Sequence, residues 1–210
     1  MRIAIIGAGN VGAALGTGWT RAGHSVAFGA RDPSAVKLKP LLDATGAVAL
    51  ASAEAVPGAD IVVLALPWAT AEEAVKGLGD LSGKIVIDCM NPLTMKDGRL
   101  DLDRGYTGSG AETLAGWLPG ARVVKAMNQV GAEAMADASG FPSRPVMFVA
   151  GDDGEAKAAV RSLVEQLGFE ALDAGPLRQA RLLEPFAMVW IDQAIHRGLG
   201  RDWAFGILRR

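Results

Sequence analysis

Short apolar runs rich in β-branched residues recur along the chain: Ile3–Ile6, Val26–Gly29, Ile61–Leu66, Ile85–Asp88, Arg122–Ala126, Val146–Ala150 and Phe169–Leu172. Between them lie Ala-, Leu- and Glu-rich stretches with helical spacing. Consecutive apolar positions, rather than strict alternation, mark strands covered on both faces. The pattern predicts an α/β fold with a mainly parallel sheet of about eight strands. Helix starts are signalled by Asp32 before Pro33, and by Ser109 with Glu112 and Asp152 with Glu155, which have capping-box spacing. From Arg178 the character changes. Arg181–Ile191 is apolar almost all round, with Pro185 placed to kink or restart a helix, and a further short helix is expected over Asp202–Leu208. Residues 1–177 are therefore read as the sheet domain and residues 178–210 as a C-terminal helical extension packed on it.

Composition narrows the classes. Half of the 210 residues are apolar and 21% are charged, enough to form one core and too apolar for intrinsic disorder. Lys and Arg number 21 against 23 Asp and Glu, with no basic run beyond Arg209-Arg210, so no nucleic-acid or anionic-membrane partner is expected. A single cysteine, Cys89, makes no internal disulfide, and two distant histidines make no metal cluster. No metal is expected, and a cytoplasmic location is. The longest apolar stretches are too short to span a bilayer. Glycine is the oddity: 27 residues, roughly twice the usual share.

The most informative glycines are Gly7, Gly9 and Gly12 in Gly7-Ala8-Gly9-Asn10-Val11-Gly12, directly after the first strand and opening a small-residue helix to about Arg21. In G-x-G-x-x-G the first glycine allows the turn, the second lets backbone approach a pyrophosphate, and the third packs helix on strand. The sheet is thus read as a Rossmann doubly wound fold. A site for NAD places an acid at the end of the second strand. Here Gly29-Ala30 is followed by Arg31, whose guanidinium suits a 2′-phosphate, so NADP(H) is the expected cofactor. The competing assignment makes Arg31 a solvated partner of Asp32.

Seven stretches in order span essentially the whole chain: Gly7–Gly12, Gly29-Ala30-Arg31, Leu64-Ala65-Leu66-Pro67-Trp68, Ile87-Asp88 with Asn91-Pro92-Leu93, Val123–Ala126 with Asn128, Phe148–Asp152, and Asp173–Leu177. In these the chain resembles the NADPH-dependent oxidoreductases that reduce the deazaflavin coenzyme F-420, and the related reductase domain of metalloreductases. The resemblance implies that Leu66, Pro67 and Trp68 wall the cofactor and that Asn91 and Pro92 lie near the nicotinamide. Together with Gly7, Gly9, Asn10, Val11, Gly12, Ala30 and Arg31, these are the expected cofactor-binding residues, and Ala126, Met127 and Asn128 are the expected substrate-side residues. The chain departs from the pattern where deazaflavin-reducing members carry an aromatic before that Asn and Thr after it. Here the positions hold Met127 and Gln129, and Trp190-Ile191-Asp192-Gln193 is more acidic than the pattern.

Hydride transfer to a flavin-type ring needs stacking of the two rings and little acid–base help, so no catalytic side chain is expected. Reduction of a small carbonyl or imine, the alternative, needs a proton donor. Candidates are Lys125, Asp88, Tyr106, Glu184 and His196, with Lys125 read as a solvated strand-end lysine and His196 as a helix C-cap. Dehydrogenases of small hydroxy and imino acids generally append a large helical domain, whereas 33 residues follow position 177 here. The expected partner is a small-molecule electron acceptor, a flavin or deazaflavin co-substrate. A non-catalytic NADPH-binding protein is the third possibility. A homodimer is expected through the helix carrying Phe186, Met188, Val189, Trp190 and Ile191.

Overall fold

A computed structural model describes residues 1–210. The elements in chain order are β1 (Arg2–Ile6), α1 (Asn10–Arg21), β2 (Ser25–Ala30), α2 (Lys39–Thr45), β3 (Val48–Ala51), α3 (Ser52–Ala55), β4 (Ile61–Leu64), α4 (Ala71–Lys76), β5 (Ile85–Asp88), β6 (Leu93–Lys96) and β7 (Arg99–Leu102). Then come α5 (Gly110–Trp117), β8 (Arg122–Lys125), α6 (Ala132–Met135), β9 (Val146–Gly151), α7 (Gly154–Gln166), β10 (Glu170–Gly175) and α8 (Ala180–Ile191). Eight strands form one sheet in the order β10-β9-β8-β5-β4-β1-β2-β3, while β6 and β7 make a separate hairpin. Strand order reverses between β1 and β4, which opens a crevice at their C-terminal ends. The fold is the doubly wound Rossmann type.

Successive residues of β1 serve opposite faces. Ile3 and Ile5 join the core under α1, α6 and α7, whereas Ala4 and Ile6 join the one under α3, α4 and α5. The helix α1 lies close on β2 because Gly16 leaves room for the fully buried Phe28 ring: a Cβ at Gly16 would stand 2.3 Å from it. The same helix is pinned by Trp19, whose indole N–H donates to the Leu163 carbonyl at 3.1 Å.

The eight-stranded sheet is mainly parallel, as expected, with β9 alone antiparallel to β8 and β10 parallel to β9. Several local expectations need correction. The 126–145 connection carries only the four-residue α6 and makes no crossover, while β9 and β10 are joined across α7. Asp32-Pro33 forms a turn, with Asp32 accepting from the amide and hydroxyl of Ser34 at 3.0 and 2.6 Å. Ser109 caps α5 as expected, accepting from the Glu112 amide at 3.1 Å. The cap of α7 is Asp153, one residue later than expected, while Asp152 accepts from the Leu177 amide.

No helix forms over Asp202–Leu208. That segment is irregular, its Phe205 carbonyl accepting from the Val146 amide at 2.9 Å. Its rings pack on α8, with Phe205 4.3 Å from Phe186 and Trp203 stacked on Trp190. Burying two aromatics along the neighbouring helix is worth more than the few hydrogen bonds of a single helical turn. Helix α8 continues through Pro185, with Leu183, Glu184, Ala187 and Trp190 buried and Leu182 and Val189 exposed. No helix is long and apolar enough to cross a membrane.

The contact between α1 and β2 is directly testable. Gly16→Val should cost about 2–3 kcal/mol by overpacking and lower the thermal midpoint by about 4–12 °C. A melting curve unchanged by that substitution would show that α1 is free to lift from β2.

Candidate active site

Gly7, Gly9 and Gly12 have three different surroundings. Gly7 adopts φ +106°, and a Cβ there would lie 2.4 Å from the Ala65 carbonyl oxygen, so the turn is pressed against the end of β4. A Cβ on Gly12 would lie 1.8 Å from the Gly7 carbonyl oxygen, which closes helix on turn. Gly9, the residue before α1, is exposed, and a Cβ there would meet no protein atom within 4 Å. Two of the glycines therefore serve packing, and the third faces open space before the helix. The first turn of α1 has no acidic residue and no side-chain cap, which leaves its amides available to an anion.

At the end of β2, Asp32 is committed to Ser34, and Arg31 stands exposed without it as an ion-pair partner. Ala30 places no carboxylate where a ribose 2′-substituent would lie. These residues fit an NADP(H) molecule, with phosphates on the α1 turn and a 2′-phosphate at Arg31.

Leu66 and Pro67 follow β4 at the crevice edge, half-buried and exposed respectively. Trp68 is differently engaged: Trp117 stacks on it at 5.3 Å and the Arg104 guanidinium lies over its ring at 5.2 Å. Its visible role is to tie the β6–β7 hairpin to α5. Sequence reading missed this hairpin, although Asp97-Gly98, with φ 50° and 73°, is a strong two-residue hairpin signal.

Asn91 and Asn128 meet. The Asn91 amide donates to the Asn128 carbonyl, and the Asn128 amide donates to Asn91 Oδ1, both at 3.0 Å. Asn128 also donates to the Leu183 carbonyl of α8 at 3.1 Å. Pro92 is buried beside Gly110. The side chains of Ala126 and Met127 are fully buried in the core, Met127 at φ +61°, so of the three expected substrate-side residues Asn128 alone brings its side chain into a polar network. Gln129 is buried too. Its amide donates to the Phe148 carbonyl at 3.0 Å and accepts from the Phe148 amide at 3.1 Å, extending the sheet ladder in place of backbone.

The expectation of a solvated Lys125 is overturned. Its side chain is 1% exposed and bonded to Asp88 Oδ2 and Glu184 Oε1, each at 3.0 Å, and to the Met90 carbonyl. Asp88 also accepts from the Met90 amide at 2.9 Å. Glu184 accepts from the amides of Gly110 and Ala111 at 2.8 and 3.1 Å, at the start of α5. Burial by itself would pull the Lys125 ammonium down, but the two carboxylates more than offset it and hold it above the ordinary lysine range. Burial, reinforced by Asp88, pushes the neighbouring Cys89 thiol up, leaving it inert. Nothing local in the sequence signals this triad, since its members come from three separate elements.

Comparison with known proteins agrees with the geometry. The family model described as NADP oxidoreductase, coenzyme F420-dependent, matches residues 2–92. Over all of both chains the protein is 32% identical to a candidate F420-dependent NADP reductase from Arthrobacter sp. FB24, with a TM-score of 0.92. The chain belongs to this family.

Among curated relatives of this F420-dependent NADP oxidoreductase family member, metalloreductase STEAP3 of Rattus norvegicus is 34% identical over 184 residues, 87% of this chain and 36% of the relative. The chain thus spans about a third of the length of the curated relatives it matches. A reductive aminase from Aspergillus terreus, solved with NADPH and ethyl levulinate, shares the fold at a TM-score of 0.70 and 20% identity, over 94% of this chain and 62% of that one. The matching family model is described as one of NADP oxidoreductases.

Because a Cβ at Gly9 meets nothing, Gly9→Val should fold like the unmutated protein while its branches occupy the space of the phosphates. Circular dichroism with NADPH titration checks it. Full nucleotide affinity in the folded variant would move the phosphate site elsewhere.

Proposed function

We propose that the protein transfers a hydride between NADP(H) and a flavin or deazaflavin acceptor bound at the crevice. NADPH seated on the α1 turn supplies the hydride. The observation that carries the reading is the fate of the five possible proton donors. Lys125, Asp88 and Glu184 are consumed by one another, with 0–1% of each side chain exposed. Tyr106 is 74% exposed and lines a cavity of about 740 Å3 with Arg104, Glu112 and Arg181, which includes none of the glycine-rich turn. His196 is exposed after α8. A carbonyl or imine would need one of them within reach of its oxygen or nitrogen as hydride adds to the carbon, whereas a ring that accepts hydride directly needs only to be held flat against the nicotinamide.

The chain's own part is to bind and orient. Backbone at Gly9 and the first amides of α1 would admit the pyrophosphate, Arg31 would hold the 2′-phosphate, and the Asn91–Asn128 clasp would form the wall beside the nicotinamide. Family membership supports the reading, as does the likeness to the Arthrobacter protein over its full length.

Oxidation of NADPH, followed by absorbance against the deazaflavin coenzyme, FMN, FAD, riboflavin and a panel of simple ketones and imines, tests the proposal. Turnover confined to flavin-type rings is expected, and turnover of a ketone or imine without any flavin would overturn it. NADPH should bind more tightly than NADH by about tenfold to a hundredfold, as a charge-assisted phosphate contact of about 1.5–3 kcal/mol gives. Arg31→Ala should erase most of that difference; equal affinities in the unmutated protein would refute the 2′-phosphate assignment.

A further inference from the structure

The triad is the one cluster of buried ionised side chains in the molecule. A buried ion cluster is poor value as stabilisation, since apolar residues of similar volume often serve as well. What it supplies is direction. Lys125 holds the Met90 carbonyl, one residue before Asn91, and itself lies three residues before Asn128. Glu184 follows Leu183, whose carbonyl receives the Asn128 amide. The triad and the Asn91–Asn128 clasp are therefore one continuous network. Its outer end is the crevice wall, and its inner end is α8 docked on the start of α5.

Gly110 is where the parts converge. A Cβ there would lie 3.2 Å from Glu184 Oε1, 3.3 Å from the Trp68 ring and 3.4 Å from Pro92. Two carboxylates against one ammonium leave an excess negative charge, which the first amides of α5 meet at Glu184. Glu184 is consequently the member whose carboxylate both meets Lys125 and docks α8 on the start of α5.

We propose that Glu184 is a positioning residue for hydride transfer: by joining Lys125 to the start of α5 it fixes α8, and through Leu183 and Asn128 it fixes the wall on which the nicotinamide and the acceptor are aligned. The inference rests on the hydride-transfer reading above. Glu184→Gln keeps the volume and leaves Asp88 and Lys125 as a neutral pair, so no unbalanced charge remains in the core. Its amide nitrogen, however, must face either the Lys125 ammonium or an α5 amide, a donor against a donor.

The experiment compares full-length Glu184→Gln with the unmutated chain in three measurements: NADPH affinity, emission of the bound nicotinamide, and kcat with the best acceptor. Affinity should hold within about twofold, because the phosphate contacts lie on β1, α1 and β2, away from the substitution. The emission gained on binding should fall, and kcat should drop about tenfold to a hundredfold, the scale of a misplacement of about 1 Å. Unchanged emission and kcat would overturn the proposal, and so would a tenfold loss of NADPH affinity, which would make the network a support of the whole nucleotide site. If Glu184→Gln does not fold, Asn128→Ala cuts the link between wall and α8 without disturbing a charge. It should show the same split, and unchanged emission and kcat in that variant would equally overturn the proposal. The emission measurement needs no acceptor, so failure to find one refutes the hydride-transfer reading and leaves positioning decided separately.

Discussion

An ammonium ion sealed from water sets the architecture of the reactive end of this protein. Lys125 is tolerated there only because every direction around it ends in an acceptor: Asp88, Glu184 and the Met90 carbonyl. Those acceptors belong to β5, to the loop after it and to α8, so the ion cannot be satisfied until the chain's last long helix has docked. An apolar helix face alone would slide on its partner at little cost. A fork of charge-assisted hydrogen bonds has one geometry, and the absence of a side chain at Gly110 lets Trp68, Pro92 and Glu184 close on the same point.

The other end of the crevice is built on a different principle. Around the glycine-rich turn the constraints are steric, with Gly7 against Ala65 and Gly12 against Gly7, and the electrostatics come from free helix amides and an exposed arginine. No buried charge takes part. The glycine-rich turn and the buried triad thus rest on separate sets of contacts, one steric and one ionic.

The buried triad also limits the chemistry. Each of its three ionisable groups would be a respectable acid or base if it reached the crevice, and each is instead saturated by its neighbours. The interaction that shapes the wall therefore withdraws the proton donors, which accords with reductions that proceed by stacking and hydride transfer alone. The fold is shared with the Aspergillus reductive aminase, and a fold does not by itself specify an acceptor.

The glycine-rich turn between β1 and α1 was legible in the sequence because its signals are local. The β1 run, the glycine spacing and the absence of an acid before Arg31 lie within about thirty residues, and backbone sterics fix their meaning wherever they occur. Ser109 as a cap and the apolar face of α8 were readable for the same reason. The direction of β9, the irregular path of residues 202–208, the stacking of Trp68 and the burial of Lys125 were not, since each depends on a partner remote in sequence. Lys125 and Glu184 stand 59 positions apart, and a strand-end lysine looks the same whether water or two carboxylates await it. The sequence determined by itself that a dinucleotide could be held; only the tertiary structure decided which charged groups would be sealed away from it, because desolvation is a property of the assembled surroundings and not of any segment.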